Sequence, residues 1–338
     1  MTKTCPHAGS WKCLGTFESE NPSRIYCSRE CKSRTGNTMA AGAPESAAAP
    51  RSQAFPPPPP DRPKPAPDEA LIAELQARGF TVSKERLPEQ TRVIDTSSFK
   101  GQAVKIGVVS DTHLGSKWQQ LTLLRKFYRF AEDEGVDFFV HCGDFVDGST
   151  RMHRDAVYNN FVHGFDAQRD YAIDVYPQTK VPTYVIAGNH DYSFMNGDGG
   201  DIVSAICKER PELSYLGQIG AYLNIGPVSM YLHHPFDAGA KTLSWKLQCW
   251  IEQVAPERKP HLVLKGNYHK AVHLPAYRNV EGFLVPSFQA QTPFEKGKSI
   301  HSTVGGLILN LTYGDEGIRR LGTEWCIERV PLEEDFPH

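Results

Sequence analysis

The chain has 338 residues, 40% of them hydrophobic, and a formal net charge of −2. That is enough for one large α/β domain with smaller attachments, and the near-neutral balance excludes a global basic field that would gather nucleic acid non-specifically. No apolar run approaches the roughly 20 residues of a membrane-spanning helix, and the N-terminus lacks the basic-then-apolar order of a secretory signal, so a soluble, intracellular (cytoplasmic) protein without a membrane partner is expected.

Three composition regimes follow one another from the N-terminus. Residues 1–35 are polar and carry Cys5, Cys13, Cys27 and Cys31. The run Tyr26-Cys27-Ser28-Arg29-Glu30-Cys31-Lys32 resembles one half of a treble-clef zinc ribbon, in which a turn from strand to helix offers two thiolates. The facing Cys-x-x-Cys knuckle is incomplete, because Ser10 stands three residues before Cys13, so the fourth donor falls to Cys5 or His7. Zn2+ accepts either sulfur or imidazole, and a module with so little core needs the metal to fold. Arg24, Arg29, Lys32 and Arg34 would give it a basic face for nucleic acid or a protein partner. Residues 36–68 are rich in Ala and Pro, with five consecutive prolines ending at Pro60. Such a stretch buries too little apolar surface to offset its ordering entropy and reads as a disordered linker. Residues 69–101 read as a short helical lead-in, with Leu71, Ile72 and Leu75 on one face.

From residue 102 to 325 the pattern is that of one α/β domain, with a C-terminal tail over 326–338. Four apolar runs of strand length each end in a short polar motif. Val104–Val109 leads into Asp111-Thr112-His113, Phe138–Val140 into Gly143-Asp144, Tyr184–Ala187 into Gly188-Asn189-His190-Asp191, and Met230–Leu232 into His233-His234. A helix is expected near Leu121 to Ala131, from the spacing of Leu121, Leu124, Phe127, Tyr128 and Ala131, and another over Asp201 to Glu209. After Gly220 the strands shorten: Tyr222–Ile225, Val228–Leu232, Leu262–Leu264, Phe283–Val285 and Leu307–Leu311. Strand–helix alternation followed by a strand-rich half points to two sheets packed face to face, with helices outside. Cys142, Cys207, Cys249 and Cys326 are scattered singly and read as packing thiols.

Open α/β sheets collect their ligand sites at strand ends. Asp, His, Asp, Asn and His delivered there form a donor set for hard to borderline divalent ions. Two such ions about 3.5–4 Å apart neutralise phosphate charge and supply hydroxide at neutral pH. The four motifs in this order, together with Gly266-Asn267-Tyr268-His269 after Leu262–Leu264, resemble the calcineurin-like metallophosphoesterase superfamily. The resemblance implies a two-sheet sandwich flanked by helices and a phosphoester substrate hydrolysed with two divalent ions, Mn2+ foremost, with Fe, Zn and Mg as alternatives. It also implies roles. Asp111, His113 and His269 would bind the first ion, Asp144 would bridge both, and Asn189 and His233 would bind the second. His190 would touch the phosphoryl oxygen or protonate the leaving group, with Asp191 orienting it.

Three details complicate this assignment. Neighbouring side chains on a strand point to opposite faces, so only one of His233 and His234 can face the ions, and family order selects His233. The family's last motif is Gly-His-x-His, and Asn267 stands at its first histidine; as a metal ligand its amide oxygen suits Mn2+ or Mg2+ but is poor for softer ions, which puts occupancy of the second site in question. The polar segment from Asp147 to Gln178 offers Arg151 and Arg154 as phosphate clamps close after Asp144, the competing reading being a helical insertion whose charges face water. The expected function is a phosphodiesterase or nuclease acting on nucleic acid or nucleotides. The alternatives are a phosphomonoesterase for protein or small molecules, and an interaction subunit weakened in catalysis by Asn267.

Overall fold

The computed structural model describes residues 2–4, 16–18 and 91–336, apart from 98, 100, 150–155, 197, 198, 238, 241 and 333. The chain divides into two units, Met1–Phe80 and Thr81–His338. In the first unit, β1 (Thr2–Thr4) and β2 (Thr16–Glu18) pair antiparallel. The expected zinc donors Cys5, His7, Cys13, Cys27 and Cys31, the linker at 36–68 and the lead-in's apolar face of Leu71, Ile72 and Leu75 lie outside the described residues, as do Arg151 and Arg154.

The second unit is built on two six-stranded sheets. One runs in the order β14 (Gly317–Glu328), β13 (Val304–Gly314), β4 (Ala103–Val109), β5 (Phe138–Cys142), β6 (Thr183–Ala187) and β7 (Leu213–Gln218). The other runs β11 (Val272–Tyr277), β12 (Val280–Leu284), β10 (Leu262–Lys265), β9 (Val228–His233), β8 (Gly220–Ile225) and β3 (Thr91–Ile94). Strands β4 to β7 are mutually parallel, as are β9, β10 and β12. Their C-terminal ends therefore deliver loops to a common edge.

Side-chain alternation explains the layering. Val104, Ile106 and Val108 of β4, Phe138 and Val140 of β5, and Val228, Met230 and Leu232 of β9 all enter one buried cluster between the sheets. The intervening residues Val109, Phe139 and Val185 face outward, where α1 (Leu121–Asp133), α3 (Phe165–Val175) and α5 (Ile202–Glu209) cover them. On the far side, α6 (Trp245–Gln253) lays Leu247 and Ile251 over Tyr231 and Val263. The result is a helix–sheet–sheet–helix sandwich. Three short helices sit in loops: α2 (Ala156–Asn159), α4 (Asn189–Tyr192) and α7 (Pro293–Gly297).

The expected helices at 121–131 and 201–209 form, the second with Asp201 as its cap, its carboxylate accepting from Ser204 N at 2.9 Å. The helical reading of the segment after Asp147 also holds for α3, where Arg169 pairs with Asp166 and Asp170 at the surface. The edge strands β3, β7, β11 and β14 and helix α6 carried no sequence expectation, and β3 is a strand within the segment 69–101 that the sequence reads as a helical lead-in. Strand β14 continues to Glu328, past residue 325, and the chain beyond it returns to α1. The Asp335 carboxylate accepts from Thr122 N and Thr122 Oγ1, both at 2.6 Å. It thereby caps a helix whose own N-cap residue, Gln120, makes no side-chain cap bond.

Candidate metal centre

The loops after β4 and β5 are zipped together beyond the last regular strand pair. Asp111 N donates to Gly143 O (2.9 Å), His113 N to Asp144 O (3.1 Å) and Leu114 N to Phe145 O (3.0 Å). This fixes the Asp111-x-His113 motif against Asp144. The turn after β10 joins from the second sheet, with Asn267 N donating to both carboxylate oxygens of Asp111 at 3.1 and 3.2 Å. Asp111, His113, Asp144, Asn267 and His269 all adopt positive φ, between 44° and 75°. Left-handed backbone costs a non-glycine residue about 1–2 kcal/mol, so this density of it at one place marks a functional constellation held by its surroundings.

The side chains converge as follows. His269 Nε2 lies 3.3 Å from Asp111 Oδ1 and 3.3 Å from His113 Nε2. His113 Nε2 lies 3.7 Å from Asp144 Oδ2. On the other side of Asp144, His234 Nε2 is 3.1 Å from Asp144 Oδ2, 3.1 Å from Asn189 Oδ1 and 3.9 Å from Asp111 Oδ1. Donors on a shell of about 2.1 Å radius stand about 3.0 Å apart when adjacent and about 4.2 Å when opposite. These separations fall in that range. The groups Asp111–His113–His269, His113–Asp144–His190 and Asp111–Asp144–His234 could each hold an ion; Asp111 is common to the first and third, and Asp144 to the second and third.

Each of the three converging imidazoles is aimed by a contact to its other nitrogen, the usual support of a metal-binding histidine. His113 Nδ1 lies 3.0 Å from Asp147 Oδ1, which Gln289 Nε2 also engages at 3.0 Å. His269 Nδ1 lies 3.2 Å from Glu295 Oε1. His234 Nδ1 lies 2.6 Å from Cys142 O. Three glycines make room for His234: a Cβ on Gly143 (φ 92°), Gly188 or Gly266 would collide with its ring.

The protonation pattern follows from this crowding. Burial opposes charge on the His234 ring, yet Asp144 and Asp111 raise it to about 9. Burial likewise opposes charge on His269, yet Asp111 and Glu295 raise it to about 10. Asp144 is held below the ordinary carboxylate range by His234, His190 and His113 despite its burial. Protons on the rings supply the positive charge that carboxylates at this density demand.

His233 is the main correction to the sequence reading. It shares a face of β9 with Tyr231, not with Leu232, and its ring lies 5.6 Å from that of Tyr231 and 5.5 Å from that of Trp250. Its Nδ1 is buried with no hydrogen-bond partner, and burial together with Lys265 pushes the ring down to about 3. His234, one residue on, takes the face of Leu232 and enters the cluster. The alternation Val228, Met230, Leu232 already carried that parity. Asn267 reaches the edge of the cluster, but its Nδ2 donates to Asp237 O at 2.7 Å. His190 lines the cleft, with Nδ1 2.7 Å from Asp147 O. Asp191 holds backbone: its carboxylate accepts from Phe145 N, Val146 N and Gly188 N at 2.8–3.0 Å. Burial and the charge of Asp144 nonetheless push it up to about 7.

Asp147, Gln289 and Glu295 were not anticipated. Asp147 stands three residues after Asp144, and a carboxylate to orient His113 could have been sought there. Glu295 closes a Thr292-x-x-Glu295 capping box on α7, with Thr292 N donating to Glu295 Oε2 at 2.8 Å. That box was visible in the sequence; its second task at His269 was not.

The family model for calcineurin-like phosphoesterases matches residues 104–296. No curated protein sequence matches the chain. Similar solved structures include a conserved uncharacterized protein of Streptococcus pneumoniae, described as a predicted phosphoesterase (13% identity, TM-score 0.32, covering 66% of this chain and 98% of that one). Others are Vps29 of Chaetomium thermophilum (12%, TM-score 0.37, 69% and 100%) and the nuclease MPE of Pseudomonas putida (16%, TM-score 0.27, 55% and 76%).

Proposed function

The chain belongs to the calcineurin-like phosphoesterase family, and on that footing we propose that it is a metal-dependent phosphodiesterase acting on nucleotides or nucleic acid. One observation supports this reading above the others: Asp111, His113, Asp144, Asn189, His234 and His269, from five separate loops, each bring a donor atom to within 3.1–4.0 Å of a neighbour's in one cluster. The donor set fits divalent ions, because its imidazoles are aimed and its carboxylates are buried. Asp111, His113, Asp144 and His269 would hold one ion, and Asp144, Asn189 and His234 the other. Such ions neutralise the phosphate and activate the attacking water when bound.

The remaining roles belong to the chain itself. The Asp147 carbonyl fixes the His190 ring through Nδ1, and the ring lines the cleft, where it would meet the phosphoryl or leaving oxygen. Asp191 holds the 188–191 turn against the 145–146 backbone and so keeps Asn189 and His190 at the rim. Asp147 and Glu295 keep His113 and His269 in one orientation. Purified protein with Mn2+ should hydrolyse bis-p-nitrophenyl phosphate faster than p-nitrophenyl phosphate. Asp144→Ala should abolish both activities, and turnover surviving that change would refute the assignment. The reverse preference between the two esters would make the protein a phosphomonoesterase.

Asn267 favours a second reading, in which catalysis is weak and binding of partners dominates. Its amide is engaged with Asp237 where the family has an imidazole. The second ion would then rest on three protein donors and exchange readily. Metal analysis after desalting should find about one ion per chain beyond any zinc in residues 1–35, and Asn267→His should raise it to about two. Two retained ions in the unaltered chain would remove this reading.

A further inference from the structure

The centre forms the floor of a cleft of about 830 Å3 with two apolar walls. The loop after β9 contributes Phe236 and Leu243, and the loop around α7 contributes Phe294 and Ile300. All four are exposed large hydrophobic side chains, Phe236 at 50% and Phe294 at 41%. Apolar groups exposed around one groove mark a ligand surface. Both walls are tied to the turn that carries His269. Asn267 Nδ2 donates to Asp237 O (2.7 Å), the Tyr268 hydroxyl donates to the Asp237 carboxylate, and Lys246 Nζ pairs with Asp237 Oδ2 at 2.8 Å. On the opposite wall, Glu295 of α7 contacts His269 itself. The distance from phosphate floor to aromatic wall is thus set by the fold.

We propose that this cleft seats a nucleoside attached to the reacting phosphate, its base packed on Phe236 and Phe294. The proposal rests on the phosphoesterase reading and names its substrate side. The chemistry of the walls favours a base over an acyl chain. Lys246, Lys270 and Lys298 line the same cleft, and the Lys298 ammonium stands 5.0 Å from the centre of the Phe294 ring. A flat, polar-edged heterocycle with an anionic backbone complements that mixture, whereas a flexible hydrocarbon needs a continuous dry groove. The volume suits a ligand of one or two nucleotides.

Two esters with one leaving group provide the test: thymidine 5′-(p-nitrophenyl phosphate) and methyl p-nitrophenyl phosphate, with Mn2+. The nucleoside ester should have the higher kcat/KM. Phe236→Ala and Phe294→Ala should each lower its kcat/KM roughly 5- to 100-fold, the span of base–aromatic stacking, mainly through KM, while the methyl ester is unaffected. Phe236→Leu should behave like Phe236→Ala, and Phe236→Trp should retain the preference. Equal kcat/KM for the two esters, or parallel losses on both, overturns the proposal. If neither ester turns over, the phosphoesterase reading itself fails. Calorimetric titration then decides the subsite: thymidine 5′-monophosphate binding more tightly than inorganic phosphate, with the difference lost in Phe236→Ala, supports it, and equal affinities overturn it.

Discussion

Asp144 shows how far one side chain can be surrounded. Its Oδ1 accepts from His190 N at 2.8 Å, and its Oδ2 faces the imidazoles of His234 and His113. At this scale the histidine pair gives the sharpest prediction. His234→Ala should lose one ion and at least about 100-fold in activity, the usual cost of a misassembled metal centre. His233→Phe should keep both, because that ring packs beside Trp250 and Tyr231 and never reaches the floor. Metal content and bis-p-nitrophenyl phosphate turnover of the two variants decide between them. The motifs themselves were legible because each followed a buried strand run, and β5 and β6 are buried at every position. The choice of His233 erred because family order was set above strand parity. Asp147, Gln289 and Glu295 were hidden for another reason: their work lies across loops, and only the assembled fold brings Glu295 to His269.

Helix α1 shows the same division among elements. Its apolar stripe was readable from Leu121, Leu124, Phe127, Tyr128 and Ala131, all of them buried. Its cap was not, since Asp335 arrives from 213 positions away. Replacing Asp335 with Ala should remove about 1 kcal/mol, seen as a melting temperature lower by about 2–4 °C. Ester turnover should be little changed, and an unaltered melting temperature would mean the cap contributes nothing. Strands β11 and β14 escaped the sequence reading because both lie at sheet edges. Their side chains are half-buried or exposed, and no apolar run announces them. Helix α6 escaped because it needs only Leu247 and Ile251 against its sheet.

For the whole molecule, the raised histidines set the response to pH. The His234 and His269 rings lie at about 9 and about 10 in the metal-free fold, above the ordinary 6.5. The stability they contribute is therefore complete below about pH 6.5 and drains away as pH rises through those values. Metal-free protein should melt at progressively lower temperature between about pH 7 and pH 10. Metal-loaded protein should not, because ions displace those protons. At a free ion concentration of about 100 Kd, binding adds roughly 2.7 kcal/mol, so chelation at neutral pH should lower the melting temperature by about 5–10 °C. A midpoint indifferent to chelator would speak against an ion at this centre.

Asp111, Asp144 and Asn189 follow strands of one sheet, while His234 and His269 follow strands of the other. An ion seated among them is therefore a rivet driven through both leaves of the sandwich. Prising the leaves apart dismantles its seat, so cation escape and collapse of the fold should coincide as a single event on heating.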